Sequence, residues 1–210
     1  MPDLEELAAG IRVCAACDLC RTRTQAVPGE GPGSASIFFI GEGPGYYEDK
    51  SGQPFVGAAG KFLDELLAIA GLRRSEVFIT NVVKCRPPNN RDPQEREIEA
   101  CRDWLDRQIE AVQPSVIVTL GRFSMSRYFP GASISRIHGQ AQTIGRCSVV
   151  PMFHPAAALH QARYRSLIEE DFRHLPEIVA RARQGSPPAP EPGPMPEPLK
   201  QEEPSQMRLL

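Results

Sequence analysis

The sequence lacks three features that would each point to a class of protein. It has no hydrophobic run near the length of a membrane span. It has no basic start followed by an apolar stretch, as a secretory signal would. With 24 Lys and Arg against 26 Asp and Glu, it has no excess of positive charge for coating a polyanion. We therefore expect a protein of the reducing bacterial cytoplasm with no membrane partner, although a local basic face for nucleic acid stays compatible with this charge.

Proline, in contrast, is abundant and unevenly distributed. Of 21 prolines, eight lie in residues 185–210. A segment so rich in proline and so poor in large apolar residues cannot build a core. We therefore predict one folded domain over residues 1–184, followed by a disordered tail over residues 185–210.

Short apolar runs alternate with helical patterns along the predicted domain. Four runs rich in β-branched and aromatic residues are typical of strands buried on both faces, and they cover residues 36–40, 77–80, 116–120 and 148–153. Apolar residues at three- and four-residue steps predict helices over 58–70 and 93–112, the second with Asp92 as its N-cap. This alternation predicts an α/β fold with a parallel sheet covered on both faces.

Polar residues follow three of these predicted strands, where ligands of such sheets bind. Glu42, Asn81 and His154 each come at or directly after a strand end. Phe55, in GQPFVG, adds an aromatic face. An amide that both donates and accepts, a ring to stack on and a donor for an oxygen together suit a planar heterocycle.

Cysteine spacing indicates a second site. In a reducing compartment, six cysteines favour metal binding or single burial over a disulfide framework. Two separated pairs of thiolates can hold either a tetrahedral zinc ion or a [4Fe-4S] cluster, and the spacing does not choose between them. Buried free cysteines are the alternative, and Cys147 is interpreted as a core thiol. The grouped cysteines are Cys14, Cys17 and Cys20 near the start, and Cys85 and Cys101 sixteen residues apart.

Four features occur in a diagnostic order over residues 7–183: GEGPGYYEDKSGQPFVGAAGKFL, TNVVKCRPPNNRDP, the paired cysteines, and PMFHPAAAL. Together they resemble the iron-sulfur uracil-DNA glycosylases called family 4. The resemblance implies a three-layer α/β/α sandwich around a four-stranded, mainly parallel sheet, and excision of uracil from DNA. It also implies a [4Fe-4S] cluster held by Cys14, Cys17, Cys85 and Cys101, with Cys20 not needed as a ligand.

This activity assigns roles to the candidate residues. We expect Phe55 to stack on uracil, Asn81 to bond its polar edge and His154 to stabilise the charge that builds on the leaving base. Cytosine presents the opposite pattern to a buried amide and should be rejected. Glu42 is the first candidate for positioning the attacking water, and Glu48 is the second.

The pocket floor and the DNA contacts are less sharply defined. Gly43 should leave the floor open, so that only Tyr46 or Tyr47 could supply a barrier against thymine. Residues after His154 should form a wedge in the minor groove, with Leu159 filling the vacated stack. The candidate DNA-binding residues are Pro155, Ala156 and Leu159 in the wedge, and Arg86, Arg91, Arg163 and Arg165 at phosphates.

The expected enzyme is a monomeric, monofunctional glycosylase that leaves an abasic site in base excision repair, since no motif places a lysine as an amine nucleophile. His138, within Arg-Ile-His, matches a loop that forms a covalent adduct in one sub-branch, but it lies outside the Cys85 to Cys101 interval, so ordinary turnover is expected. Two alternatives stay open: a glycosylase for other deaminated bases, and a non-catalytic iron-sulfur or zinc DNA-binding module.

The chain end carries a further motif. Its last five residues resemble the short glutamine-then-hydrophobic peptides that dock on bacterial sliding clamps, with Gln206, Leu209 and Leu210 as the contact residues. On a proline-rich tether, such a peptide would raise the local concentration of the domain at replicating DNA. A chance match of a short motif is the alternative.

Overall fold

The computed structural model describes residues 3–184, so the predicted tail and its peptide at Gln206, Leu209 and Leu210 lie outside the described residues. The strands are β1 (Ile37–Gly41), β2 (Phe78–Asn81), β3 (Val116–Leu120), β4 (Gln142–Ile144) and β5 (Cys147–Met152). The helices are α1 (Leu4–Val13), α2 (Tyr46–Ser51), α3 (Ala58–Ile69), α4 (Glu95–Val112), α5 (Arg122–Ser126), α6 (Ile134–Ile137), α7 (Ala156–His160) and α8 (Arg163–Gln184).

All five strands belong to one sheet, in the order β2-β1-β3-β5-β4. The four predicted strands are parallel, and Phe38 on β1 pairs with Phe78 on one side and Ile117 on the other. The predicted count of four is wrong by one, because β4 runs antiparallel to β5 at the sheet edge. Its three residues are exposed and it carries no apolar run, so hydrophobic patterning gave no signal for it.

Helices cover both faces of the sheet, which confirms the three-layer arrangement. Phe38 and Phe39 are adjacent on β1, and both are fully buried on opposite faces. Phe39 stacks on Phe172 of α8, with 6.0 Å between ring centroids, in the layer that also contains α3 and α7. Phe38 lies in the other core with Leu105 of α4, in the layer that also contains α1 and α5.

Helix α4 begins two residues later than its predicted cap implied. Its N-cap is Gln94 rather than Asp92, and the carboxylate of Glu97 accepts a hydrogen bond from the Gln94 amide at 2.8 Å. Both Nη atoms of Arg91 also donate to Glu97, at 2.9 and 2.6 Å. Asp92 instead accepts a hydrogen bond from Arg122. The capping box, with its buried carboxylate, therefore outcompeted the Asp-Pro pair as the helix start.

The β2 edge of the sheet is covered by an extended segment. The amide of Glu30 donates to the carbonyl of Ile79 at 2.9 Å, and the amide of Ile79 donates back at 2.8 Å. Polar groups on this edge are thus paired outside the regular ladder. Within residues 3–184, no helix combines the length and apolarity that a membrane crossing requires.

We predict that Glu97→Ala lowers the free energy of unfolding by about 1–3 kcal/mol, because it removes a helix cap and leaves the Gln94 amide without that acceptor. The hydrogen bond from Arg91 holds the pKa of Glu97 below its usual range. Glu97 therefore contributes to the free energy of unfolding at neutral pH, and this contribution is lost as pH falls through its lowered pKa. Denaturant melts of Glu97→Ala against the exposed neighbour Glu95→Ala test this, and equal stability of the two variants would contradict it.

Candidate active site

A cleft of about 670 Å³ opens at the carboxyl ends of the parallel strands, where the sequence predicted the ligand site. It brings together all the predicted catalytic and base-binding residues, which come from β2, from helix α2 and from the loops after β1, α2 and β5. They are Glu42, Gly43, Glu48, Phe55, Asn81 and His154. Segments that follow different strands thus line one cavity.

Gly41, the last residue of β1, makes the close packing of this cleft possible. A Cβ atom at Gly41 would lie 2.3 Å from Oδ1 of Asn81 and 2.6 Å from Cζ of Phe55. Any side chain there would therefore displace both groups. Sequence reasoning missed this residue, although a glycine that ends a buried strand is a recognised signal of close approach.

Phe55 is held in a backbone conformation that its residue type rarely adopts. Its φ angle is +52°, in the left-handed region. Oε1 of Glu48 accepts hydrogen bonds from the next two amides, those of Val56 at 2.9 Å and Gly57 at 2.8 Å. Strain of this kind persists where its surroundings enforce it. Glu48 therefore fixes the loop that presents the Phe55 ring.

Asn81 offers an unused hydrogen-bonding atom to the cleft. The residue is 2% exposed, and within the described part of the chain its Oδ1 has no hydrogen-bond partner. A buried amide oxygen without a donor is unfavourable by about 1–3 kcal/mol, so such atoms commonly mark a ligand site. Asn81 is therefore poised to accept a hydrogen bond from a bound molecule.

A fully buried lysine forms a hydrogen bond with the backbone of Asn81. Nζ of Lys84 donates to the Asn81 carbonyl at 2.8 Å, and also to Thr80 Oγ1 and Gln108 Oε1, each at 2.7 Å. Burial lowers the pKa of Lys84 to about 7. Sequence reasoning missed Lys84, whose only signal is a charged residue placed between two valines and a cysteine in NVVKC.

His154 presents a neutral ring with a defined proton position. The amide of Ala156 donates to Nδ1 at 3.1 Å, which leaves Nε2 to carry the proton of the neutral imidazole. Burial lowers the pKa of His154 to about 4, against the opposing charge of Glu48. The ring lies 5.5 Å from that of Phe55 in a stacked arrangement. His154 can therefore donate a hydrogen bond without being charged.

Glu42 lies half-buried at the same edge. Burial raises the pKa of its carboxyl group, the nearby Asp92 carboxylate raises it further, and Arg122 opposes both. A glutamate with a raised pKa is a better proton acceptor than an ordinary one. Unlike Glu48, whose carboxylate is engaged by two amides, Glu42 is available for this role.

Val83 lies beside Gly43, and the two tyrosines are exposed. A Cβ at Gly43 would lie 2.8 Å from Cγ2 of Val83, so Val83 fills the space that was expected to be an open floor. Tyr46 and Tyr47 are 50% and 65% exposed at the cleft mouth rather than buried at its base.

Some of the residues expected to contact DNA line the cleft, and others lie elsewhere on the protein. Ala156 and Leu159 line the cleft, and Leu159 is 51% exposed. Pro155 is buried, at the N-cap of α7. Arg86 lies over the Tyr46 ring, 5.2 Å from its centroid.

The remaining arginines and His138 have protein partners. Arg91 is held by Glu97, as described above, and Arg165 forms ion pairs with Glu65 and Glu169. Arg163 lies over the ring of its neighbour Tyr164. Nδ1 of His138 lies 2.9 Å from Asp171 Oδ2, and its ring packs against Phe153.

The grouped cysteines line one small cavity that Lys84 also lines. Cys20 lines it together with the four expected ligands, which are Cys14, Cys17, Cys85 and Cys101. Among the described residues, no group of three or more His, Cys, Asp or Glu side chains is arranged to hold a metal ion. Cys147 is buried elsewhere and donates to the Pro114 carbonyl, as a core thiol would.

The chemistry around the sulfurs nevertheless fits thiolate ligands. Hydrogen-bond donors directed at cysteine sulfurs are the usual surroundings of iron-sulfur clusters. Each of the four expected ligands accepts an N–H bond: Cys14 from Trp104 Nε1 at 3.3 Å, Cys17 from the Leu19 amide, Cys85 from Arg23 Nη1 at 3.0 Å, and Cys101 from the Lys84 amide at 3.3 Å. Burial raises the pKa of Cys85 to about 11, so binding a cluster there would displace a proton.

Comparison with known proteins gives the class of this fold and cleft. The profile of the Uracil DNA glycosylase superfamily matches residues 28–176. The Type-4 uracil-DNA glycosylase of Sulfurisphaera tokodaii is 48% identical over 189 residues, covering 85% of this chain and 86% of that protein. Those of Archaeoglobus fulgidus and Thermotoga maritima are 46% and 42% identical, covering 86% and 85% of this chain and 96% and 95% of theirs. The chain belongs to the type-4 uracil-DNA glycosylase family of that superfamily.

We predict that His154 stays neutral between pH 8 and about 5.5 because of its burial. Its pKa in the folded protein lies below the ordinary value of 6.5, so the unfolded chain binds more protons between pH 6.5 and about 4. The free energy of unfolding should therefore fall as pH drops through that window. NMR titration, with the His154→Gln spectrum identifying the resonance, tests this, and a midpoint near 6.5 would contradict it.

Proposed function

We propose that the protein excises uracil from DNA by hydrolysing the bond between the base and deoxyribose, leaving an abasic site for base excision repair. The single observation that carries this is the buried, unpartnered Oδ1 of Asn81 beside the rings of Phe55 and His154. A planar base with an N–H group at its edge satisfies that atom while stacking on the aromatic ring.

Recognition follows from the two ends of the Asn81 amide. Its Oδ1 accepts from N3–H of uracil, and its Nδ2 donates to O4. Cytosine has an unprotonated N3 and an amino group at these positions, so both contacts would be mismatched. Lys84 fixes the backbone of Asn81 through its carbonyl, and Gly41 leaves room for the side-chain amide at the strand end. A buried mismatch of this kind supports discrimination of about 10⁴-fold.

The chemical step needs charge stabilisation on the base and a water at the sugar. The C1′–N1 bond breaks, and its electron pair stays on uracil as negative charge. Nε2–H of His154 donates to O2 and stabilises that charge, an effect whose loss typically lowers rates about 10²- to 10³-fold. Water attacks C1′, Glu42 accepts the proton from that water, and the uracil anion later takes a proton from solvent.

Glu48 has a different part in this scheme. Its carboxylate is occupied by the Val56 and Gly57 amides, so we assign it to positioning Phe55 and assign the water to Glu42. The catalytic set is then Glu42, Asn81 and His154, with Glu48 acting through the loop. The raised pKa of Glu42 supports this division.

Access to the base requires that the nucleotide leave the helical stack. Leu159, exposed at the cleft, is suited to fill the gap in duplex DNA, with Ala156 at its base and Pro155 fixing the start of α7. Arg86 is the arginine best placed for a phosphate near the cleft. We keep Arg163 as a weaker candidate, because it lies next to α7 but already contacts Tyr164.

We further propose that Cys14, Cys17, Cys85 and Cys101 hold a [4Fe-4S] cluster. The four N–H bonds to their sulfurs support this set over one that includes Cys20. A cluster bound there would tie the start of the chain to α4 and to the loop after β2. The role is structural in this scheme, and the reaction uses no group on the cluster.

We also propose that the tail peptide at Gln206, Leu209 and Leu210 docks on a sliding clamp. Its support is the sequence pattern alone. Deleting residues 206–210 should abolish binding to an immobilised bacterial clamp while leaving uracil excision unchanged. Equal clamp binding with and without these residues would remove the proposal.

The function is tested with a labelled oligonucleotide containing one uracil, treated with alkali after incubation. Wild-type protein should give strand cleavage only after alkali, and Glu42→Ala should lower the single-turnover rate about 100-fold or more. The wild-type rate should decline in acid with a midpoint above that of an ordinary glutamate, because Glu42 must be ionised. Glu95→Ala serves as the control. A full rate for Glu42→Ala would remove its role, and inactive wild-type protein with its cluster intact would favour the DNA-binding module.

The cluster is tested by iron content and visible absorbance of anaerobically purified protein. Wild type should contain about four iron atoms per chain. Cys14→Ser and Cys85→Ser should lose most of that iron, whereas Cys20→Ser and Cys147→Ser should retain it. One zinc per chain instead of iron, or loss of iron in Cys20→Ser, would contradict the assignment.

A further inference from the structure

Two exposed aromatic rings stand at the mouth of the uracil cleft. Tyr46 and Tyr47 begin helix α2 and line the cleft, yet they are 50% and 65% exposed. Their rings meet edge to face, with 5.4 Å between centroids. Neither ring is needed to fill a core. Adjacent exposed aromatic rings at the lip of a ligand site are typical of a binding surface.

Two positively charged side chains lie beside the ring of Tyr46. The guanidinium of Arg86 lies 5.2 Å from the Tyr46 ring centroid, and Nζ of Lys50 lies 5.8 Å from it. Nε of Arg86 is further fixed by Oδ1 of Asn90 at 2.7 Å. Two cations beside a ring suit a polyanion that also carries flat bases.

The Tyr47 ring is set beside the loop that presents Phe55. A Cβ placed at Gly57 would lie 3.5 Å from Cδ2 of Tyr47, at van der Waals distance, so the Tyr47 ring lies directly beside this loop. The Gly57 amide is in turn held by Glu48. The exposed Tyr47 ring therefore lies beside the same loop that presents the Phe55 ring inside the cleft.

We propose that Tyr47 stacks on the base next to the extruded uracil, on the same strand. Tyr46 holds Arg86 and Lys50 toward the phosphate between those two nucleotides. This rests on the proposed uracil excision. The site takes any DNA base, since every base offers a flat face, and it acts on single-stranded as well as duplex substrate. Leu159 has the separate task of filling the vacated position in a duplex.

The test uses single-turnover excision from single-stranded DNA at increasing enzyme concentration. Tyr47→Leu should raise the half-saturating concentration about tenfold and leave the rate at saturation within about twofold. Tyr47→Phe should restore wild-type behaviour because it keeps the ring. Leu167→Ala, which alters an exposed apolar residue on α8, is the control.

A second readout reports the stacking directly. A fluorescent 2-aminopurine is placed beside a uracil nucleotide whose 2′-fluorine slows cleavage. Its emission should be lower with wild type than with Tyr47→Leu, on one side of the uracil only. Unchanged half-saturation and unchanged emission in Tyr47→Leu would overturn the proposal, as would a lower rate at saturation without weaker binding. Both outcomes leave wild-type excision active, so they are distinct from failure of the proposed function.

Discussion

One buried ammonium group connects the two functional regions of this molecule. Nζ of Lys84 donates to the Asn81 carbonyl and to side chains of β2 and α4, while its own amide donates to the sulfur of Cys101. Asn81, which lines the cleft, and Cys85, which lines the cysteine cavity, are thus four positions apart on one segment. Lys84 therefore contacts both regions, one through its backbone amide and the other through its side chain.

The cleft is preorganised by two glycines that leave room for other groups and by a glutamate that holds a loop in place. Gly41 has no side chain, which lets Asn81 and Phe55 approach each other, and Gly60 has none, which leaves room for the Phe55 carbonyl. Glu48 then holds the left-handed turn at Phe55. A site arranged before its ligand arrives needs little reorganisation when charge develops on the departing base.

Much of this arrangement could be predicted from the sequence, and the failures have physical causes. Glu42, Asn81 and His154 were predictable because parallel strands direct their carboxyl ends to one edge. Strand β4 was not, since three exposed residues with a single apolar side chain have no periodic signal and their pairing depends on β5. The N-cap of α4 at Gln94 was also not predicted, because Arg91 holds the carboxylate of Glu97 there and the apolar periodicity of the helix does not report this contact. The roles of Glu48 and Lys84 depend on tertiary hydrogen bonds, which residue type alone does not specify.

The two edges of the sheet have a consequence for how the protein behaves at high concentration. An unpaired strand edge can template the addition of another chain and so start aggregation. Here β4, only three residues long and with one apolar residue, ends the sheet on one side, and the Glu30 segment pairs with β2 on the other. Neither side presents a long apolar strand to a neighbouring molecule. The parallel core is thereby shielded from edge-to-edge association by elements that take no part in recognising the base.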